Sequence, residues 1–195
     1  MENYSEKFNY QELCASFELK IPSDFNFAFD VLSKKASEKE KTALIAIEKN
    51  GKDFKKVSYN ELDKSSSKFA NALINLGIEK KDNVLVILPR IPEWYGVLFG
   101  CAKMGAVAMP GTTLLTAKDI EYRIKNSKAK ALVVSERHAE AVEKIKDDCP
   151  TLQHIILVRG ERNGWSSFET LCNMSSDYID RSMVPPTKSE DPMLI

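Results

Sequence analysis

Three short segments combine residue types that can hold an anion. They are Pro89-Arg90-Ile91-Pro92, Pro110-Gly111-Thr112-Thr113 and Ser135-Glu136-Arg137-His138. The second offers a glycine for close backbone approach, two hydroxyls and a helix start directly after them. That set suits a phosphate or a carboxylate, although Gly and Thr equally serve ordinary strand-to-helix turns. Arg90 is the best-placed cation for an anionic ligand, and the competing reading pairs it with nearby Glu93. Trp94 and Tyr95 could line an apolar acyl pocket, against the commoner role of helical aromatics as core. His138 and His154 have no Ser, Cys or paired carboxylate at a catalytic spacing and read as structural. GxSxG, GxGxxG and GxxxxGK[ST] are absent, which removes sequence support for triad hydrolases, dinucleotide enzymes and Walker-type NTPases. No catalytic residue and no protein-held metal are expected.

These segments need a scaffold that brings them to one edge. Val84 to Leu88 is a five-residue apolar run suited to a strand covered on both faces, and Pro92 sits at the favoured first position of a helix. Strand Ala106 to Met109, a helix from the Thr116-Ala117-Lys118-Asp119 capping box to Ser127, strand Ala131 to Val134, helix Glu136 to Asp147 and strand His154 to Val158 follow. Four strand–helix units in a row predict an α/β fold: a doubly wound, mainly parallel sheet flanked by helices. In such a sheet ligands bind beyond the carboxyl ends of the strands, where all three segments fall.

Upstream, Phe25 to Ala36 reads as a helix capped by Ser23 or Asp24. Residues 43–48 and 54–58 form an early β-hairpin about Asn50-Gly51. Ser58-Tyr59-Asn60-Glu61 caps a helix over 59–76 that Gly77 ends. Its apolar face is expected to pack on the sheet. The Gly96/Gly100 spacing predicts close helix-on-sheet contact. The domain reading is an N-terminal arm over 1–24, an α/β subdomain over 25–174, and, over 175–195, a connector and the start of a truncated strand at 191–195.

Composition narrows the function classes. Of 195 residues, 28 are Lys or Arg and 28 Asp or Glu, so there is no basic surplus for nucleic acid. The four cysteines, 14, 101, 149 and 172, contain no CxxC pair, and with two histidines they leave almost no transition-metal ligands. Charges and prolines interrupt the apolar stretch 84–110 too often for a membrane span. The polar N-terminus carries no apolar or Arg-rich leader, so a cytoplasmic location is expected.

Leu88-Pro89-Arg90-Ile91-Pro92-Glu93-Trp94-Tyr95 is followed in order by Gly105-Ala106-Val107-Ala108-Met109-Pro110-Gly111-Thr112-Thr113, Asp119-Ile120-Glu121-Tyr122-Arg123-Ile124, Ser127-Lys128-Ala129-Lys130-Ala131 and Asn163-Gly164-Trp165. This series resembles the adenylate-forming superfamily of AMP-forming acyl-CoA synthetases, above all its medium-chain branch, from about Phe25 onward. The resemblance implies an acid-thiol ligase using a carboxylic acid, ATP, Mg²⁺ and CoA. In that family a Ser/Thr/Gly-rich loop followed by Lys cradles the phosphates, and it would begin within a few residues of Ile195. The chain is therefore expected to be an N-terminal piece, inactive alone, with no tightly bound cofactor and a tendency to self-associate through exposed apolar surface. The resemblance assigns Gly111, Thr112, Thr113 and Leu114 to a CoA-side loop. The glutamine common after Gly-Thr-Thr in that branch is here Leu114, which lacks the polar contact. Arg90 and Trp94 would face substrate. The alternative is a non-catalytic α/β domain binding a nucleotide or protein.

Overall fold

The computed structural model describes residues 9–38, 41–47 and 50–195. The first eight residues of the expected arm lie outside them. The arm's described part carries helix α1 (Tyr10–Ser16), capped by Asn9 and without a buried residue. A π-helical stretch, Ala28–Ser33, runs into the short α2 (Lys34–Ala36). Its cap is Asn26, not Ser23 or Asp24: Asn26 Oδ1 accepts from the backbone N–H of Ala28 and Phe29 at 3.1 and 3.3 Å. Nδ2 of the same carboxamide donates to Ala102 O at 2.7 Å. A carboxamide both donates and accepts, so it can cap this turn and tether it to a neighbouring helix together, which a hydroxyl-to-carboxylate pair at 23–24 does not do.

Strands β1 (Thr42–Ile47) and β2 (Phe54–Ser58) form the expected antiparallel hairpin, with a bulge between Thr42 and Leu44. Residues 48–49 lie outside the described set; on the far side of the turn Asn50 Oδ1 accepts from Lys52 and Asp53 N–H. Helix α3 (Tyr59–Asn75) opens on a complete capping box between Ser58 and Glu61, and Gly77 follows at φ +78°.

Next come β3 (Asn83–Ile87), α4 (Pro92–Met104), β4 (Val107–Pro110), α5 (Ala117–Ser127), β5 (Ala131–Ser135), α6 (Ala139–Glu143), β6 (His154–Val158), β7 (Ser166–Ser167) and α7 (Phe168–Asn173). The five later strands form one parallel sheet in the order β4-β3-β5-β6-β7. Alternate residues of β3 serve opposite cores. Val84 and Val86 pack with Phe69, Leu73, Val97 and Phe168 from α3, α4 and α7. Leu85 and Ile87 pack with Ile120, Ile124 and Val142 from α5 and α6. The doubly wound α/β architecture is thus present, buried on both faces as the apolar run of β3 requires.

Several local expectations fail. The helix expected over 136–147 is broken into a 3₁₀ turn at Glu136–His138, α6, and a second 3₁₀ turn at Lys146–Asp148. Ile145 leaves helical geometry at φ −123° and ψ −11°, and Ile145 and Cys149 both end buried in the core shared with Leu85, Ile120 and Val142. The Gly96/Gly100 face meets α3, not the sheet. A Cβ at Gly100 would lie 2.9 Å from Phe69 Cδ1 and 3.0 Å from Ser66 O. Helix backbones approach this closely only where the side chain is a hydrogen.

The segment after α7 is tied down at several points. Arg181 pairs with Asp30 at 2.8 Å and Lys80 with Asp191 at 2.7 Å. Thr187 O accepts from Phe25 N–H at 3.1 Å. Residues 193–195 then run parallel to the outer edge of β4, with Ala108 N–H donating to Met193 O and Ile195 N–H to Ala108 O, each at 3.1 Å.

Candidate active-site edge

The chain leaves β3 toward α4 on one face of the sheet, and leaves β4 and β5 toward α5 and α6 on the other. Adjacent strands β3 and β5 therefore send their loops in opposite directions, which opens a crevice at their carboxyl ends. The three anion-suited segments all lie at this edge.

The loop after β4 is built by close packing. Gly111 N–H donates to Val86 O at 2.8 Å, and a Cβ on Gly111 would fall 2.8 Å from Leu115 Cδ1, the end of a side chain that can turn aside. Thr112 Oγ1 accepts from Leu114 N–H at 3.3 Å, an ordinary hydroxyl turn. Leu114 projects outward, 77% exposed. The loop ends at Thr116, where the capping box with Asp119 is complete. Hydrogen bonds from the Thr116 side chain and backbone hold the Asp119 carboxyl below its ordinary value.

His138 arrives from the loop after β5. It is 3% exposed, and its Nε2 lies 3.2 Å from Thr113 O. A carbonyl only accepts, so Nε2 carries the proton, and Nδ1 is buried without a partner. Burial, reinforced by the neighbouring Arg137 charge, pulls the His138 pKa down against the opposing Thr113 hydrogen bond. The ring is neutral at pH 7.

Arg90 is exposed on the loop after β3 and has no ion-pair partner among the described residues. The expected Arg90–Glu93 pair is corrected: Glu93 receives the Arg159 guanidinium as a fork, Nε at 2.8 Å and Nη2 at 3.0 Å. Arg159 follows β6 with φ +59° and reaches back to the first turn of α4, and its planar two-donor edge matches both oxygens of one carboxylate. Trp94 is partly buried against the α3/α4 core, edge-on to Tyr95 with centroids 4.9 Å apart.

The structure thus brings Thr113 of the Gly111–Leu114 loop into contact with His138 and sets Arg90 on the loop after β3, the strand between them in sheet order. Trp94 stands one turn into α4. The His138 contact was not legible from spacing; its one signal is a histidine at the first helical turn after a buried core strand. Cys101 and Cys172 are pushed up to about 12 by burial, so neither is a ready nucleophile. Among the described residues no group of three or more His, Cys, Asp or Glu side chains is placed to hold a metal. No helix of the described residues is long and apolar enough to cross a membrane.

A family model for AMP-binding enzymes matches residues 32–195. The human mitochondrial acyl-coenzyme A synthetase ACSM4 is 46% identical over 185 residues, covering 90% of this chain and 31% of its own length. Human mitochondrial ACSM3 is 38% identical with the same coverage. The chain thus spans about a third of the curated relatives it matches. Among solved structures, a Brucella canis acyl-CoA synthetase superposes with a TM-score of 0.81 at 21% identity, over 95% of this chain and 35% of that one. An anthranilate CoA ligase in complex with anthranoyl-AMP gives 0.76 at 23% identity, over 88% and 32%. The mitochondrial relatives overturn the cytoplasmic location expected from the polar first residues. With the family model matching most of its length and the doubly wound sheet shared with acyl-CoA synthetases, the chain belongs to the AMP-binding enzyme family.

Proposed function

We propose that these residues form the N-terminal scaffold of an AMP-forming acyl-CoA synthetase. A carboxylate oxygen attacks the ATP α-phosphorus and pyrophosphate leaves, giving acyl-AMP; the CoA thiol then attacks the acyl carbon, AMP leaves and the thiol proton is released. Both steps depend on fixed donors and cations where charge develops. In this reading residues 1–24 are an arm, 25–174 the α/β subdomain and 175–195 a connector. Gly111, Thr112, Thr113 and Leu114 form a CoA-side wall, and Arg90 with Trp94 a substrate-side wall. ATP, Mg²⁺ and CoA serve the whole enzyme; Mg²⁺ supplies charge neutralisation at the phosphates when bound. These residues alone are inactive. Self-association through exposed apolar side chains such as Ile45, Ile47 and Phe54 belongs to the same proposal.

The observation that carries the reading is the 46% identity to an acyl-coenzyme A synthetase across 90% of the chain. It favours the enzyme over a non-catalytic binding domain. The test is to incubate the full-length protein with ATP, Mg²⁺, CoA and a series of carboxylates, and to quantify acyl-CoA and AMP by mass spectrometry. Equimolar appearance of both supports the proposal. ATP turnover to ADP, or none with any acid, rejects it.

A further inference from the structure

Between its anchors at Gly111 and the Thr116 capping box, the loop after β4 is lightly held. Its internal bonds are Leu114 N–H to Thr112 Oγ1 at 3.3 Å and Leu115 N–H to Thr112 O at 3.4 Å. Among the described residues, a single tertiary hydrogen bond reaches residues 112–115: the one between His138 Nε2 and Thr113 O. It joins the loops that follow β4 and β5, the two strands flanking β3, and so bridges the carboxyl end of β3 at the crevice. The ring is buried on entry from a 3₁₀ turn, and its Nδ1 makes no bond that could turn Nε2 elsewhere.

We infer that His138 is a positioning residue, whose Nε2–H clamps the Thr113 carbonyl and fixes the Gly111–Leu114 loop in the shape that meets its ligand. The ligand is CoA, a point that rests on the function proposed above. His138 touches no reacting atom. A clamp of this kind acts on the second substrate and leaves adenylation alone, because the loop it holds is on the CoA side.

The experiment compares wild-type full-length protein with His138→Leu, which removes the donor, and His138→Gln, whose amide N–H can reach the same carbonyl. Three readouts are taken: KM for CoA against kcat, carboxylate-dependent ATP–pyrophosphate exchange without CoA, and amide hydrogen exchange over residues 112–115. Loss of one such hydrogen bond predicts a rise of about tenfold in KM for CoA in the leucine variant, with pyrophosphate exchange within about twofold of wild type. Amide exchange over 112–115 accelerates, and glutamine restores most of both changes. Unchanged loop exchange and unchanged KM in His138→Leu overturn the clamp, as does equal loss in both half-reactions or failure of glutamine to rescue. If the wild type makes no thioester, the enzymatic reading falls instead. The clamp is then judged by loop exchange alone: acceleration in the leucine variant sustains it, and no change overturns it.

Discussion

The Lys103 ammonium on α4 lies 2.8 Å from Asp63 Oδ1 on α3, with the lysine side chain 1% exposed. Ser67 Oγ and Asp63 O complete its shell at 2.7 and 3.2 Å, and the Phe29 ring covers it at 5.5 Å. Burial pulls the Lys103 pKa down, and Asp63 opposes the shift. Removing one partner of such a pair strands a buried charge. Asp63→Ala is therefore expected to destabilise the fold by roughly 3 kcal/mol. Equilibrium urea unfolding checks it, and a loss under about 1 kcal/mol would show that water reaches the pair.

The two helix glycines should respond differently to a methyl group. At Gly100 the new carbon meets Phe69 Cδ1 at 2.9 Å and Ser66 O at 3.0 Å, and backbone oxygen cannot rotate away. Gly100→Ala is expected to cost about 1–3 kcal/mol from overpacking. At Gly96 the closest atom is the Ser65 hydroxyl oxygen at 2.6 Å, which can change rotamer. There the gain of up to about 1 kcal/mol in helix propensity offsets the contact. Thermal midpoints of the two variants measured side by side should fall clearly for Gly100→Ala and stay near wild type for Gly96→Ala.

His138 gives stability a pH dependence. Its folded pKa lies below the ordinary histidine value of 6.5, because burial and Arg137 disfavour the charged ring. Below 6.5 the unfolded chain takes up this proton before the folded one, so the contribution is whole above 6.5 and is lost as pH falls from there toward the folded pKa. Between pH 7 and pH 5 the wild type should lose more stability than His138→Gln. Parallel denaturation curves for the two proteins over that range would refute the assignment of a neutral, Nε2-protonated ring.

Thiol chemistry should sort the cysteines cleanly. Cys14 is exposed while Cys101, Cys149 and Cys172 are buried. Burial raises the pKa of all three, to about 12 for Cys101 and Cys172. With an aromatic disulfide reagent at pH 8, Cys14 is expected to react within minutes, and these three only after denaturant is added. Rapid labelling of any of the three in native buffer would contradict the packing described.

Features with a local cause could be read directly. Ser58 with Glu61 and Thr116 with Asp119 each satisfy a helix start within four residues, and both boxes form. The apolar run of β3 needs cover on both faces and receives it. What spacing missed depends on partners far away in the chain. Lys103 finds Asp63 forty positions earlier, and Arg159 takes Glu93 across 66 positions. The Asn26 cap also depends on Ala102. The hydroxyls at 112–113 drew attention to this loop, but only the sheet order brings His138 across β3 to the Thr113 carbonyl. Location was misread because the polarity of the first residues says nothing of where relatives named mitochondrial reside.

The most direct test of the enzymatic account is carboxylate-dependent exchange of labelled pyrophosphate into ATP by the full-length protein, with the 195-residue chain run beside it. The account predicts exchange that requires acid and Mg²⁺ but not CoA in the full-length protein, and none in the 195-residue chain. Robust exchange by the short chain, or none by the full-length protein with any carboxylate, would contradict it.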